Sequence, residues 1–183
     1  MGRKYAIRDQ QAPYFVTFTV VYWLDVFIRE EYKQIIIDSL RFCQKNKGLN
    51  VHSYCIMTSH LHLILSAQAG FALSDIIRDM KSYTANRLKE AIQAHPAESR
   101  KAWLLWMCER AGSNNKRNTD FQFWQQHNHP IELTTPKMAQ QRLAYIHNDP
   151  VVAGFVDDPT AWWWSSSRAY EHETAGEVEI AYL

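Results

Sequence analysis

The feature that most constrains the fold is a pair of strand-like runs with almost nothing between them. Residues 51–57 (VHSYCIM) and 61–66 (LHLILS) flank a short break at Thr58 and Ser59. Short apolar runs rich in β-branched and aromatic types read as strands. Two strands joined by so short a break read as an antiparallel pair. The chain around this pair has to supply the rest of a sheet and the helices that cover it.

Residues 13–23 (PYFVTFTVVYW) give a further strand signal, with Thr17 and Thr19 alternating against Phe18 and Val20. Residues 30–45 carry Ile35, Ile36, Leu40 and Phe42 among charged positions and read as an amphipathic helix. The turn at 46–50, with Gly48, ends it. Residues 73–94 are the strongest helical pattern, with Ile76, Ile77, Met80, Tyr83, Thr84 and Leu88 near one stripe. Ser74 is its expected cap and Pro96 its stop. Residues 99–110 predict another helix, 112–120 (GSNNKRNTD) a polar loop, and 121–124 a short strand. Residues 130–136 read as a turn, and Thr135 and Pro136 start a helix that runs to about Asn148. From Pro159 the pattern is mostly irregular, with 178–181 extended. Strand, helix, strand, strand, helix, strand, helix predicts an α+β fold of the split βαββαβ kind, ferredoxin-like. Its helices are expected on one face of an antiparallel sheet, with the 51–66 pair near the centre. There are no repeats and no long linker, so one domain is expected.

With 183 residues and 46% hydrophobic content the chain can build a real core. A formal net charge of +1 neither proves nor excludes a nucleic-acid partner. Local basic clusters (Arg78, Lys81 and Arg87 with Lys89; Lys116 and Arg117) are candidate DNA contacts or solvated surface. Seven tryptophans, three of them consecutive at Trp162, Trp163 and Trp164, suit core packing first and stacking on unpaired bases second. The cysteines Cys43, Cys55 and Cys108 are odd in number and widely spaced. They point to reduced thiols in a cytoplasmic protein. No signal segment is visible, and no apolar run approaches the roughly 18 residues of a membrane span.

His60-Leu61-His62 opens the third predicted strand. Side chains two apart on a strand share a face, so both imidazoles project together and can hold one divalent ion. An arbitrary pair of this kind is more often a half-exposed sheet face. Asp149 is the best candidate for a third, oxygen ligand. It lies four residues after Tyr145 on the predicted helix, hence on the same face. A tyrosine beside a metal site can attack phosphorus once activated, because a free phenol has a pKa of about 10.

At these residues the chain resembles a known family. SYCIMTSHLHLIL followed by LAYIHNDPVVAGFV is similar to the HUH single-tyrosine (Y1) transposases of the IS200 type, and more closely to their REP-associated relatives. FQFWQQHNHPIEL and the aromatic AWWWSSSRAY extend the resemblance, which covers roughly residues 14–170. It implies a ferredoxin-like fold and a Mg²⁺ or Mn²⁺ cofactor. It implies cleavage of single-stranded DNA near a hairpin (an imperfect palindrome), leaving a 5′-phosphotyrosine and a free 3′-hydroxyl. It implies His60 and His62 as metal ligands, Tyr145 as nucleophile, and Asp149 in the position of the family's Asn or Gln. The chain departs from the pattern at Thr58-Ser59, at Asp149 itself, and in a longer segment around 95–120 that reads as an insertion. Monomer and homodimer both occur among such relatives, and nucleoid association in a bacterial cytoplasm follows from DNA binding.

Tyr83 is the rival nucleophile, with Lys81 and Arg87 nearby. His127 and His129 form a second HxH, followed at once by Pro130, and read as a surface turn or DNA contact. His147 reads as structural, and Asn148 is a fallback ligand. Candidate DNA contacts are Arg78, Lys81, Arg87, Lys116, Arg117 and Trp124. The competing functions are an inactive, domesticated hairpin-binding protein and a metal-dependent hydrolase of small molecules with a closed pocket.

Overall fold

A computed structural model describes residues 6–114, 120–172 and 176–183. The elements run β1 (Tyr14–Thr19), α1 (Glu30–Lys47), β2 (Leu49–Ile56), β3 (His60–Ala67), α2 (Leu73–Ala94), α3 (Lys101–Ser113), β4 (Ile131–Glu132), α4 (Pro136–Val152) and α5 (Ser167–His172). The four strands form one sheet in the order β2-β3-β1-β4, with every neighbouring pair antiparallel. This is the expected α+β, ferredoxin-like plan. β3 is central as predicted, but its hairpin partner β2 is an edge strand.

Alternation along the strands sorts the core into two layers. Val16, Phe18, Leu61, Leu63, Leu65 and Ile56 face α1 and α2 and join their Ile36, Ile37, Leu40, Ile76, Ile77 and Leu88 in the larger cluster. Phe15, Cys55 and Ile64 point the other way and pack with Ile146 of α4 and with Leu133. The expectation of helices on one face therefore holds for α1 and α2, and for α3, whose Leu104 and Cys108 join the same cluster, but not for α4. α4 covers the second face, the face on which residues 60 and 62 lie.

Local chemistry explains the helix ends. Glu30 and Glu31 open α1 and Lys45 and Lys47 close it, each complementing the helix dipole. Gly48 ends α1 at φ 62°, and a Cβ there would fall 2.3 Å from the Phe71 ring. Thr135 caps α4 by accepting a hydrogen bond from the Met138 amide, as expected. Ser74 is not a cap. It lies inside the first turn of α2, and its amide donates to the Gln10 side chain at 3.0 Å.

Three boundaries differ from the sequence reading. β1 stops at Thr19, and residues 21–23 form a 3₁₀ turn in which Tyr22 and Trp23 both have φ 55°. Such left-handed non-glycine residues cost on the order of 1 kcal/mol each. Residues 121–124 contribute one bridge, Val20 to Trp124, and the fourth strand is Ile131–Glu132 instead. The reason is that Phe123 and Trp124 are both buried, so the segment packs under Phe18 and Phe27 and does not alternate. α4 continues past Asn148 through Pro150. The proline has no N–H to donate to the carbonyl four residues back, so α4 gives up one hydrogen bond there, and Gly154 at φ 74° lies just past the helix end.

Candidate active site

β3 begins at His60, so residues 60 and 62 leave the sheet on the α4 side while Leu61 enters the α1/α2 core. α4 is held over them by Ile146, which is fully buried against Phe15, Cys55 and Ile64. That anchor turns Tyr145 and Asp149 toward the histidines. The Asp149 Oδ2 lies 3.3 Å from His60 Nε2 and 3.6 Å from His62 Nε2. One ligand atom from each of the three residues lies within 4.8 Å of the others, the one such group of three among the described residues.

The other side of each ring faces a hydroxyl. Thr17 Oγ1 is 2.9 Å from His62 Nδ1, and Ser59 Oγ is 3.3 Å from His60 Nδ1. Thr17 pairs with His62 across the β1–β3 ladder, which sets this contact. With each Nδ1–H donated to its hydroxyl, both Nε2 lone pairs converge on a carboxylate oxygen. Three acceptors facing one another repel unless a cation lies between them. This donor set, two imidazoles and a carboxylate, suits a divalent ion. Burial, reinforced by the neighbouring His60, lowers the His62 pKa to about 4, so this ring is neutral and ready to ligate at physiological pH. The departures at Thr58-Ser59 make contacts of their own. Ser59 reaches His60, and Thr58 donates to Asp25 at 3.1 Å.

Tyr145 sits edge-on to His62, with ring centroids 5.2 Å apart, and edge-on to Phe15 at 6.0 Å. Its side chain is about half exposed, open to a polymer. Burial and the Asp149 charge raise its pKa, and Arg142 opposes them. The Arg142 guanidinium lies over the Phe15 face at 4.9 Å. Phe15 itself stacks on His62 at 5.4 Å. Arg142, Phe15 and Trp23 were not singled out from the sequence; Thr17 entered only through the β1 alternation and Ser59 only as a departure from the family pattern.

The remaining candidates lie elsewhere. α2 packs on the opposite face, so the sheet separates Tyr83 from the histidines, and Tyr83 is half exposed where an apolar stripe was expected. Arg78 pairs with Asp75 and Asp79, and Arg87 with Glu90, all on the surface. Lys81 Nζ instead ties α2 to the Gln125 carbonyl and Asn128, and burial lowers its pKa to about 8. Trp124, offered for stacking on bases, is a core residue whose indole N–H donates to Thr84 at 3.0 Å. Lys116 and Arg117 lie outside the described residues. His127 and His129 have ring centroids 6.0 Å apart beside Pro130, away from the cluster. His147 is held by Ser166 at 2.8 Å, which fits a structural role, and Asn148 is exposed.

Comparison with known proteins adds to this geometry. The family described as "Transposase IS200 like" matches residues 10–108, more than half of the chain. The match includes His60 and His62 and ends before α4. A solved REP-associated tyrosine transposase bound to a REP hairpin superposes with a TM-score of 0.65 at 14% identity, over 99% of this chain and 90% of that one. A protein of Deinococcus radiodurans R1 provisionally classed as a transposase superposes with a TM-score of 0.46 at 20% identity, over 81% of this chain and 95% of that one. A search of curated proteins finds no match. The first of these structures has the same fold. No helix among the described residues is long and apolar enough to cross a membrane.

Proposed function

The chain belongs to the IS200-like transposases, and from that premise we propose that it cleaves and joins single-stranded DNA beside a hairpin, with Tyr145 as nucleophile. The observation that carries the reading is the convergence of His60, His62 and Asp149 next to a half-exposed tyrosine on the same helix as Asp149. A hairpin partner accords with the fold shared with a transposase bound to a REP hairpin.

In this reading His60, His62 and Asp149 hold Mg²⁺ or Mn²⁺. A divalent ion held by these residues would supply Lewis-acid polarisation of a phosphate oxygen and neutralise charge there. The protein supplies the rest. Tyr145 Oη gives up its proton to solvent and forms a bond to phosphorus as the bond from phosphorus to the 3′-oxygen breaks. The 3′-oxygen takes a proton and leaves as a free hydroxyl, and the 5′-phosphate stays on Tyr145. Reversal with a different 3′-hydroxyl joins strands. Arg142, which opposes the rise in the Tyr145 pKa, favours the phenolate and the charge that develops on phosphorus. Thr17 and Ser59 hold the imidazoles in register. Asp149, in place of an amide, adds a full negative charge toward the ion.

Single-domain organisation over residues 1–183, with 95–120 as an added segment bearing α3, belongs to the same reading. So do DNA contacts through Arg78, Lys81, Arg87, Lys116 and Arg117. A cleft of about 650 Å³ beside α2 brings Arg78, Lys81 and Lys89 together with Gln125 and Asn128. The test is a denaturing gel of protein incubated with hairpin-bearing single strands and Mg²⁺ or Mn²⁺. Wild type forms a covalent adduct, Tyr145→Phe forms none, and Tyr83→Phe behaves as wild type. Binding without any adduct from wild type selects the inactive hairpin-binding reading instead.

A further inference from the structure

The turn after β1 displays two large aromatic side chains in a conformation that neither favours. Tyr22 and Trp23 both have φ 55°, and their side chains are 48% and 58% exposed. Left-handed backbone at bulky residues persists only where the surroundings enforce it. Here they do. Val21 and Leu24 on either side are buried in the core, and the Val21 amide donates to the Phe123 carbonyl at 2.9 Å. The turn is also laced to the break that precedes His60. The Val20 amide donates to the Ser59 carbonyl, the Phe27 amide to the Thr58 carbonyl, and the Thr58 hydroxyl to Asp25. The enforced result is that the indole of Trp23 stands edge-on to His60, with ring centroids 5.3 Å apart.

Burying neither ring while straining both is unprofitable for folding, so the arrangement needs another reason. An exposed indole face held rigidly one ring away from the proposed cleavage centre is a surface for an unpaired base, since every base has a π-face to stack. The exposed carboxylate of Asp25, two residues on, disfavours phosphate at this edge and turns the base side of a strand toward it. α3 packs against the same turn and carries half-exposed Trp103 and Trp106, with the Arg110 guanidinium 5.4 Å from the Trp106 ring. These extend an aromatic and basic surface away from His60.

We propose that Trp23, flanked by Tyr22, is a base-stacking platform that seats an unpaired nucleotide of single-stranded DNA beside His60. The proposal rests on the nuclease reading above and deepens it, assigning a positioning residue for its substrate.

The test measures binding alone, with full-length protein in chelator so that no cleavage intervenes. The probes are a fluorescein-labelled oligothymidylate of about 15 nucleotides and an abasic strand of equal length. Trp23→Gly removes the ring and relieves the left-handed strain, so its thermal unfolding is expected to match wild type or exceed it. It should bind oligothymidylate about 5- to 150-fold more weakly than wild type, yet bind the abasic strand equally. Trp23→Tyr should restore most of the affinity. Wild-type affinity of Trp23→Gly for oligothymidylate would remove the platform and leave the nuclease reading standing. Failure of wild type to bind either strand, with no adduct on the hairpin substrate, would remove both.

Discussion

Replacing Thr17 with valine exchanges its hydroxyl for a methyl group of similar size, and the consequence can be worked from the site. Thr17 Oγ1 lies 2.9 Å from His62 Nδ1, and the His62 side chain is 7% exposed, so water does not reach that nitrogen easily. Without metal, the variant can shift the His62 proton to Nε2, where Asp149 Oδ2 is 3.6 Å away, and leave Nδ1 as a bare acceptor. Metal binding through Nε2 forbids that escape and forces an Nδ1–H with no partner. The penalty, about 1–3 kcal/mol for an unsatisfied buried donor, therefore falls mainly on the metal-bound state. It predicts Mn²⁺ affinity weaker by about 5- to 150-fold, in line with what outer-shell partners of metal-bound histidines usually contribute. Isothermal titration of wild type and Thr17→Val with Mn²⁺ measures the ratio, and urea unfolding in chelator should show a smaller change than the binding penalty. Equal Mn²⁺ affinity in the two proteins would refute the argument. It would mean that His62 does not ligate through Nε2 or that Thr17 does not set its tautomer.

Ile146 is fully buried and fastens α4 to the sheet, so Ile146→Ala should cost about 2–5 kcal/mol in urea unfolding. It should also lower the adduct yield, because Tyr145 and Asp149 lose their anchor; full activity with a loosened α4 would count against this placement. His52 is buried between Ser66 and the Ala181 carbonyl, and burial lowers its pKa below the ordinary 6.5. A depressed folded value means that its contribution is complete above about pH 6.5 and is lost as pH falls through the folded value. Urea midpoints at neutral and mildly acid pH should therefore drop more steeply for wild type than for His52→Gln; parallel drops would show that His52 is not the titrating group.

Much of the fold was legible because local chemistry and tertiary packing agree. The α2 pattern coincides with Leu73–Ala94, and Thr135-Pro136 starts α4 where expected. The misplaced fourth strand has a physical cause, which is that burial on a non-alternating segment mimics a strand. Phe123 and Trp124 look like strand residues because they are aromatic, yet they are core wedges held by backbone contacts to the β1 end. The true fourth strand, Ile131–Glu132, pairs only with Phe15 and Tyr14 and is too short to leave a periodic trace. At the site, the spacing of His60 with His62 and of Tyr145 with Asp149 could be read from strand and helix periods. That the two halves meet depends on which face α4 covers. The residues that surround the site, Thr17 through a cross-strand register, Arg142 through a helix turn and Trp23 through a strained bend, depend on the same tertiary placement.

The central claim is that β3 and α4 build one metal centre beside Tyr145. Diffraction from a crystal soaked in Mn²⁺, with the anomalous map calculated at the manganese edge, tests it most directly. The account predicts one strong peak bound by His60 Nε2, His62 Nε2 and an Asp149 carboxylate oxygen, with open positions on the side of the Tyr145 hydroxyl. A peak held by His127 and His129, or one on His60 and His62 with Asp149 turned away, would contradict it.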